Sequence, residues 1–173
     1  MASRFWSTTA TSKLALRILI CFTFSFVCSS AFAAKDLQPH ITFNRGKIEI
    51  VGAKSKTKNR IITVEFAESE AQQQKGLMYR DTLPKDEGML FLFDSERTLG
   101  FWMRNTYIDL DIAYIDKNFK IVDIQQMKAT TSLQVEFPSY PSKKPAQYAL
   151  EMNENWFQKH KFKVGDLIRI VKN

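Results

Sequence analysis

Short apolar runs with a two-residue period, each closed off by turn residues, set the strongest limit on how this chain can fold. "KIEIV" puts Ile48 and Ile50 on one face. "IITVEF" does the same with Ile62, Val64 and Phe66, and "SLQVEF" with Leu133, Val135 and Phe137. "AQYALEM" aligns Tyr148, Leu150 and Met152, and "LIRIV" closes the sequence. Side chains on a strand alternate between faces, so each run buries one side of a sheet. "MLFLF" (Met89 to Phe93) is apolar on both faces and predicts a central strand. Many short strands of this kind predict a mainly-β chain, either a sandwich or a barrel.

Two short helices interrupt the pattern. In "SEAQQQKG" Ser69 predicts an N-cap, Gln72 completes a capping box, and Gly76 supplies a left-handed stop. "NENWFQKHK" has Asn153 as its N-cap, and Lys159, His160 and Lys161 at the end where cations suit the helix dipole. Asp116-Lys117-Asn118 predicts a hairpin turn, "LPKDEG" a turn before the central strand, and "FPSYPSKKP" a loop. No internal repeat or low-complexity segment is present.

Residues 1–33 stand apart. Arg4, Lys13 and Arg17 form a basic start without acids, "ILICFTFSFVCSS" is an apolar run, and "AFA" places small residues at the cleavage position. This predicts a secretory signal peptide cut after Ala33, and hence export to the periplasm or cell envelope. The apolar run is short of the ~20 residues a spanning helix needs, so no stable membrane anchor is expected after cleavage. Residues 34–45 form a polar lead-in, and residues 46–173 a single domain. Cleavage removes Cys21 and Cys28. The mature chain then has no disulfide, thiolate nucleophile or cysteine ligand, and its core must hold it together. The leader also takes three of the 25 basic residues, leaving 22 against 18 acids and a net charge near +4. Much of that charge lies in "KSKTKNR" and Lys143–Lys144, which read as solvated loops; nucleic-acid binding is not expected.

"FWMRNTYIDLDIAYID", residues 101–116, places polar groups in a strand-like tract. On an extended chain Ile108, Leu110, Ile112 and Tyr114 share one face, while Asn105, Asp109 and Asp111 share the other. A break near Asn105–Thr106 would reset the alternation. The polar side fits a solvated face equally with a ligand pocket framed by aromatics.

Three blocks carry a family resemblance: "QQQKGLMYRDTLPKDEGMLFLF", "FWMRNTYIDLDIAYID" and "ALEMNENWFQKHKFKVGDLIRI". In order and spacing the chain resembles the domain of unknown function 192 family from about Ile61 to Ile170. Matching positions include Gly76, Leu77, Met78, Arg80, Leu83, Gly88, Met89, Phe91, Trp102, Met103, Asn105, Thr106, Leu110, Asp111, Gly165 and Asp166. The resemblance implies an antiparallel β-sandwich of jelly-roll type, often behind a signal peptide, with no established activity. Family members usually carry proline where this chain has Asp109. A proline there implies a bulge, an edge or a strand start, and removes Asp109 from a shared carboxylate site.

The candidate ligand-binding residues are therefore Met78, Arg80, Trp102, Asn105, Thr106 and Asp111, in a cleft between the end of the first helix and the "FWMRNT" block. Arginine offers a planar fork for carboxylate or phosphate. An internal Arg80–Asp111 ion pair is the structural alternative. Met78, Met89 and Met103 beside Trp102 are soft ligands that suit Cu(I), though such residues usually fill cores. No cofactor is expected. Glycine phosphate loops, G-x-S-x-G and H-E-x-x-H are absent, and only His40 and His160 are available to a triad. Carboxylate chemistry through Asp111, Glu151 or Asp166 stays open, although Asp166 after Gly165 fits a turn. The expected role is binding or accessory, toward a small polar ligand or an envelope component. A protein-partner or assembly factor, an enzyme using Asp111, and a Met/Trp copper carrier are the alternatives.

Overall fold

The computed structural model describes residues 40–53, 59–131 and 133–171. The expected signal peptide and half of the lead-in, residues 34–39, lie outside them. Among the described residues, nine strands and two short helices follow in the order β1 (Asn44–Val51), β2 (Arg60–Ala67), α1 (Glu70–Lys75), β3 (Glu87–Arg97), β4 (Gly100–Trp102), β5 (Leu110–Ile115), β6 (Ile121–Met127), β7 (Ser139–Pro141), β8 (Ala146–Asn153), α2 (Trp156–Lys159) and β9 (Leu167–Val171). The expected mainly-β class with two short helices is found.

Seven strands form one sheet in the order β6-β5-β8-β3-β2-β1-β9, and β4 pairs with β7 in a separate ribbon. The apolar run "MLFLF" lies in β3, the middle strand of the seven. Pairing is antiparallel except between β2 and β3, which run parallel and are linked through α1. The sheet curls until its outer strands meet. Lys120 bridges Leu167, and Ile121 N–H donates to the Asp166 carbonyl.

Curling gives the sheet an inner and an outer face. The inner core takes one alternating set from every strand of the sheet: Ile48 and Ile50, Ile62 and Val64, Leu90, Ala113 and Ile115, Ile121, Leu150 and Met152, and Ile168. Trp156 and Phe157 of α2, with Phe162, pack against it. The outer core holds Met89, Phe91, Leu110, Ile112, Tyr114 and Ala149, covered by Leu77, Leu83, Leu99 and Met103. β5 is therefore buried along its whole length.

Local chemistry explains most boundaries. Ser69 Oγ accepts from Gln72 N–H and Gln72 Oε1 accepts from Ser69 N–H, the expected capping box. Gly76 ends α1 at φ +44°, where a side chain would be strained. Asp116 Oδ1 accepts from the N–H groups of Asn118 and Lys120, closing the β5–β6 hairpin. Asp166 is fully buried and accepts from Ala53 N–H and Lys163 N–H, so its role is the expected turn.

Three expectations are corrected. Residues 133–137 of "SLQVEF" form no strand: Leu133 and Val135 are each 89% exposed, so the alternating apolar side chains find no core to pack against. Part of "FPSYPSKKP" is the ribbon strand β7 rather than loop. The N-cap of α2 is Asn155, not Asn153, which is still the last residue of β8 and donates to the carbonyls of Leu83 and Pro84.

β3 and β8 approach closely at Gly88. A Cβ there would lie 2.4 Å from both the Glu151 carbonyl oxygen and the Met152 sulfur. The carbonyl belongs to the ladder and cannot move away cheaply. Gly88→Ala is expected to destabilise the protein by about 1–3 kcal/mol, the usual cost of overpacking. Urea unfolding checks this, and a wild-type midpoint would refute it.

Candidate functional site

The outer face carries a row of four residues in register across four strands. Glu65 of β2 pairs with Met89 of β3, Met89 with Glu151 of β8, and Glu151 with Ile112 of β5. Alternation sends all four side chains to the outer face. Glu65 and Glu151 are two strands apart, roughly 10 Å between backbones. The segment after α1 and the ribbon strand β4 cover this row.

Arg80 comes down from that segment and pairs with Glu65; both side chains are partly buried. The ring of Phe43 lies 5.9 Å from the Arg80 guanidinium. Glu151 has no such partner. It is 5% exposed, and no described residue hydrogen-bonds its carboxyl. Burial pushes its pKa up to about 8, and the positive charge of Arg80 only partly opposes this. At neutral pH it is mainly a neutral carboxylic acid, able to donate a hydrogen bond. Tyr114 is also pushed upward, first by burial and then by Glu151 and Asp123, and its hydroxyl donates to the Tyr140 carbonyl.

A narrow cleft reaches Glu151 from the surface. Gln73, Gly76, Met78, Phe91, Trp102 and Thr106 are among its walls. Its volume of about 30 Å³ is enough to admit water or one small polar group. Trp102 and Tyr79 are large exposed aromatics, 52% and 58% accessible. Trp102 is at the cleft. Tyr79 and Asn105 hold its two covering segments together. Tyr79 N–H donates to the Asn105 carbonyl at 2.7 Å, and Asn105 Nδ2 donates to Tyr79 Oη at 2.8 Å. Both residues have positive φ, 64° and 54°. Left-handed geometry at a bulky Tyr is backbone strain maintained by this clasp.

Of the six residues named from sequence, Met78, Trp102 and Thr106 line the cleft, Arg80 lies over the same face, and Asn105 clasps the covering segments. Asp111 is elsewhere. Alternation along β5 sends it to the inner face, against α2, where Oδ2 accepts from Phe157 N–H at 3.4 Å. The Arg80–Asp111 pair considered as a structural alternative is not made, because the sheet separates them. Asp109 precedes β5, which fits the strand start implied by proline in the family. Its carboxylate accepts from Ala129 N–H at 2.7 Å, which with Lys128 holds its pKa low. Met89 and Met103 are buried in the outer core, and only Met78 of the three methionines reaches the cleft. Sequence reasoning did not single out Glu65, and treated Glu151 only as one open carboxylate. The available signal was its position opposite Leu150 and Met152 in "AQYALEM".

The described residues thus form a curled seven-stranded sheet with its outer face roofed over a buried carboxyl. Residues 51–170 match the DUF192 family model, described as Uncharacterized ACR, COG1430, and the chain belongs to that family. No curated protein matches the chain. It is similar to a solved structure from Sinorhizobium meliloti 1021, described as a candidate transcription regulator. The two are 28% identical with a TM-score of 0.67, over 75% of this chain and 96% of that one. A protein of unknown function from Novosphingobium aromaticivorans DSM 12444 is also 28% identical, with a TM-score of 0.66, over 76% of this chain and 89% of that one.

Proposed function

We propose that this protein is an exported binding module that takes a small polar ligand at the Glu151 cleft. The observation that carries this reading is the buried carboxyl at the cleft, left without a hydrogen-bond partner among the described residues. Unpaired buried polar groups are costly and cluster where function needs them. The cleft has room for one group, so a hydroxyl or carbonyl enters it while the rest of the ligand lies over Trp102. A neutral Glu151 donates to that group. Thr106 and Met78 frame it. The composition of residues 1–33 supports export. A protein-partner reading rests on the exposed Leu133 and Val135.

Native mass spectrometry of the protein, purified from its own cells without chelator, tests the reading. The expected result is a reproducible additional mass that Trp102→Ala loses while its melting temperature stays near wild type. A bare chain mass in the wild-type preparation would overturn it.

A further inference from the structure

A second cavity lies away from the Glu151 cleft, between the turn before β3 and helix α2. Its volume is about 290 Å³, near the lower end of small-molecule sites. Leu83 and Trp156 give it apolar wall, Asn153 lies at the end of β8, and Lys85, Lys159 and His160 bring nitrogen-bearing side chains to it. Lys85 and Lys159 come from different elements, and neither pairs with a carboxylate among the described residues.

The nearby acids are already engaged. Asp86 takes Arg60 at 2.9 Å on one oxygen and Trp156 Nε1 at 3.1 Å on the other. Glu154, on the cavity wall, pairs with Lys128. His160 Nε2 is buried and makes no hydrogen bond among the described residues; the Asp86 oxygen is 3.7 Å away. Burial lowers the His160 pKa, and Arg60, Lys159 and Lys85 lower it further against Asp86.

We infer that this cavity binds a small phosphate-type anion between Lys85 and Lys159. Lysine is a compact point charge suited to phosphate, and two lysines on separate elements bracket a ligand. The anion would sit beside His160 and favour its protonated form. Nothing in this inference depends on the Glu151 cleft.

Imidazole proton resonances of the purified protein, followed by NMR against pH at constant ionic strength, provide the test, with inorganic phosphate exchanged for chloride. His40 serves as an internal reference. Phosphate is expected to raise the His160 pKa saturably and to leave His40 unchanged. Lys85→Ala and Lys159→Ala are each expected to weaken binding roughly tenfold, and the double variant to abolish the shift, with melting temperatures near wild type because both side chains are exposed. A His160 response no larger than that of His40, or a double variant that still binds phosphate as wild type does, would overturn the inference.

Discussion

Glu151→Gln is expected to stabilise the fold, by an amount that grows with pH. The carboxyl has an ordinary value of 4.5 and is pushed up to about 8 in the folded protein. Below about pH 4.5 both folded and unfolded chains hold the proton, and the residue adds no pH-dependent term. Between about 4.5 and 8 the unfolded carboxyl ionises while the folded one stays neutral, so stability falls as pH rises. Above about 8 the loss is complete. Each pKa unit corresponds to about 1.4 kcal/mol, so the full loss is about 4–5 kcal/mol, and about 3 kcal/mol is lost by neutral pH. Glutamine keeps the shape without the titration. Urea midpoints from pH 4 to 9 should therefore match near the acid end and diverge toward the alkaline end. A difference that does not vary with pH would show that Glu151 does not titrate as its burial requires. A residue that lowers stability at neutral pH has the character expected of a binding site, where stability is given up for function.

Most elements could be read locally, because their causes are local. The Ser69–Gln72 box, the Asp116 turn and the stop at Gly76 each depend on residues a few positions apart. β3 could be placed centrally because "MLFLF" has no polar face. Glu151 was obscured for the opposite reason. In "AQYALEM" the face of Gln147, Ala149 and Glu151 reads as solvated, yet the chain after α1 and strand β4 come back to cover it. That cover is tertiary and leaves no period in β8 itself. "SLQVEF" failed in mirror image: its alternation is strand-like, but alternation does not supply a partner edge. Arg80 and Asp111 both stand in the family blocks, which suggests one site. The parity of β5 against the row through Glu151 assigns them to opposite faces, and parity matters only once the neighbouring strands are known.

Asp111→Ala should be among the most damaging single changes in the domain, although Asp111 touches nothing in the cleft. Helix α2 has four residues, and its local cap fails: Asn155 is left-handed and makes no side-chain capping bond. The cap comes from β5 instead. Asp111 is 2% exposed, and its carboxyl accepts from Phe157 N–H. Burial raises its pKa, with Glu154 adding to the rise, while the N–H groups of Asn155, Phe157 and Trp156 oppose it. Removing the carboxyl leaves the buried Phe157 amide without its acceptor, beside Trp156 and Phe157 of the inner core. The expected loss is about 2–4 kcal/mol, from the unsatisfied donor and the void together. Asp111→Asn separates capping from charge. It keeps one acceptor oxygen and sheds the cost of burying an ionised group, so its urea midpoint at neutral pH should lie close to wild type. If Asn is as damaging as Ala, the negative charge rather than the acceptor holds α2. If Ala is harmless, α2 is held by Trp156 and Phe157 packing alone. Because Asp111 acts on the inner face, Asp111→Asn should also leave unchanged the additional mass that the purified protein carries at Glu151.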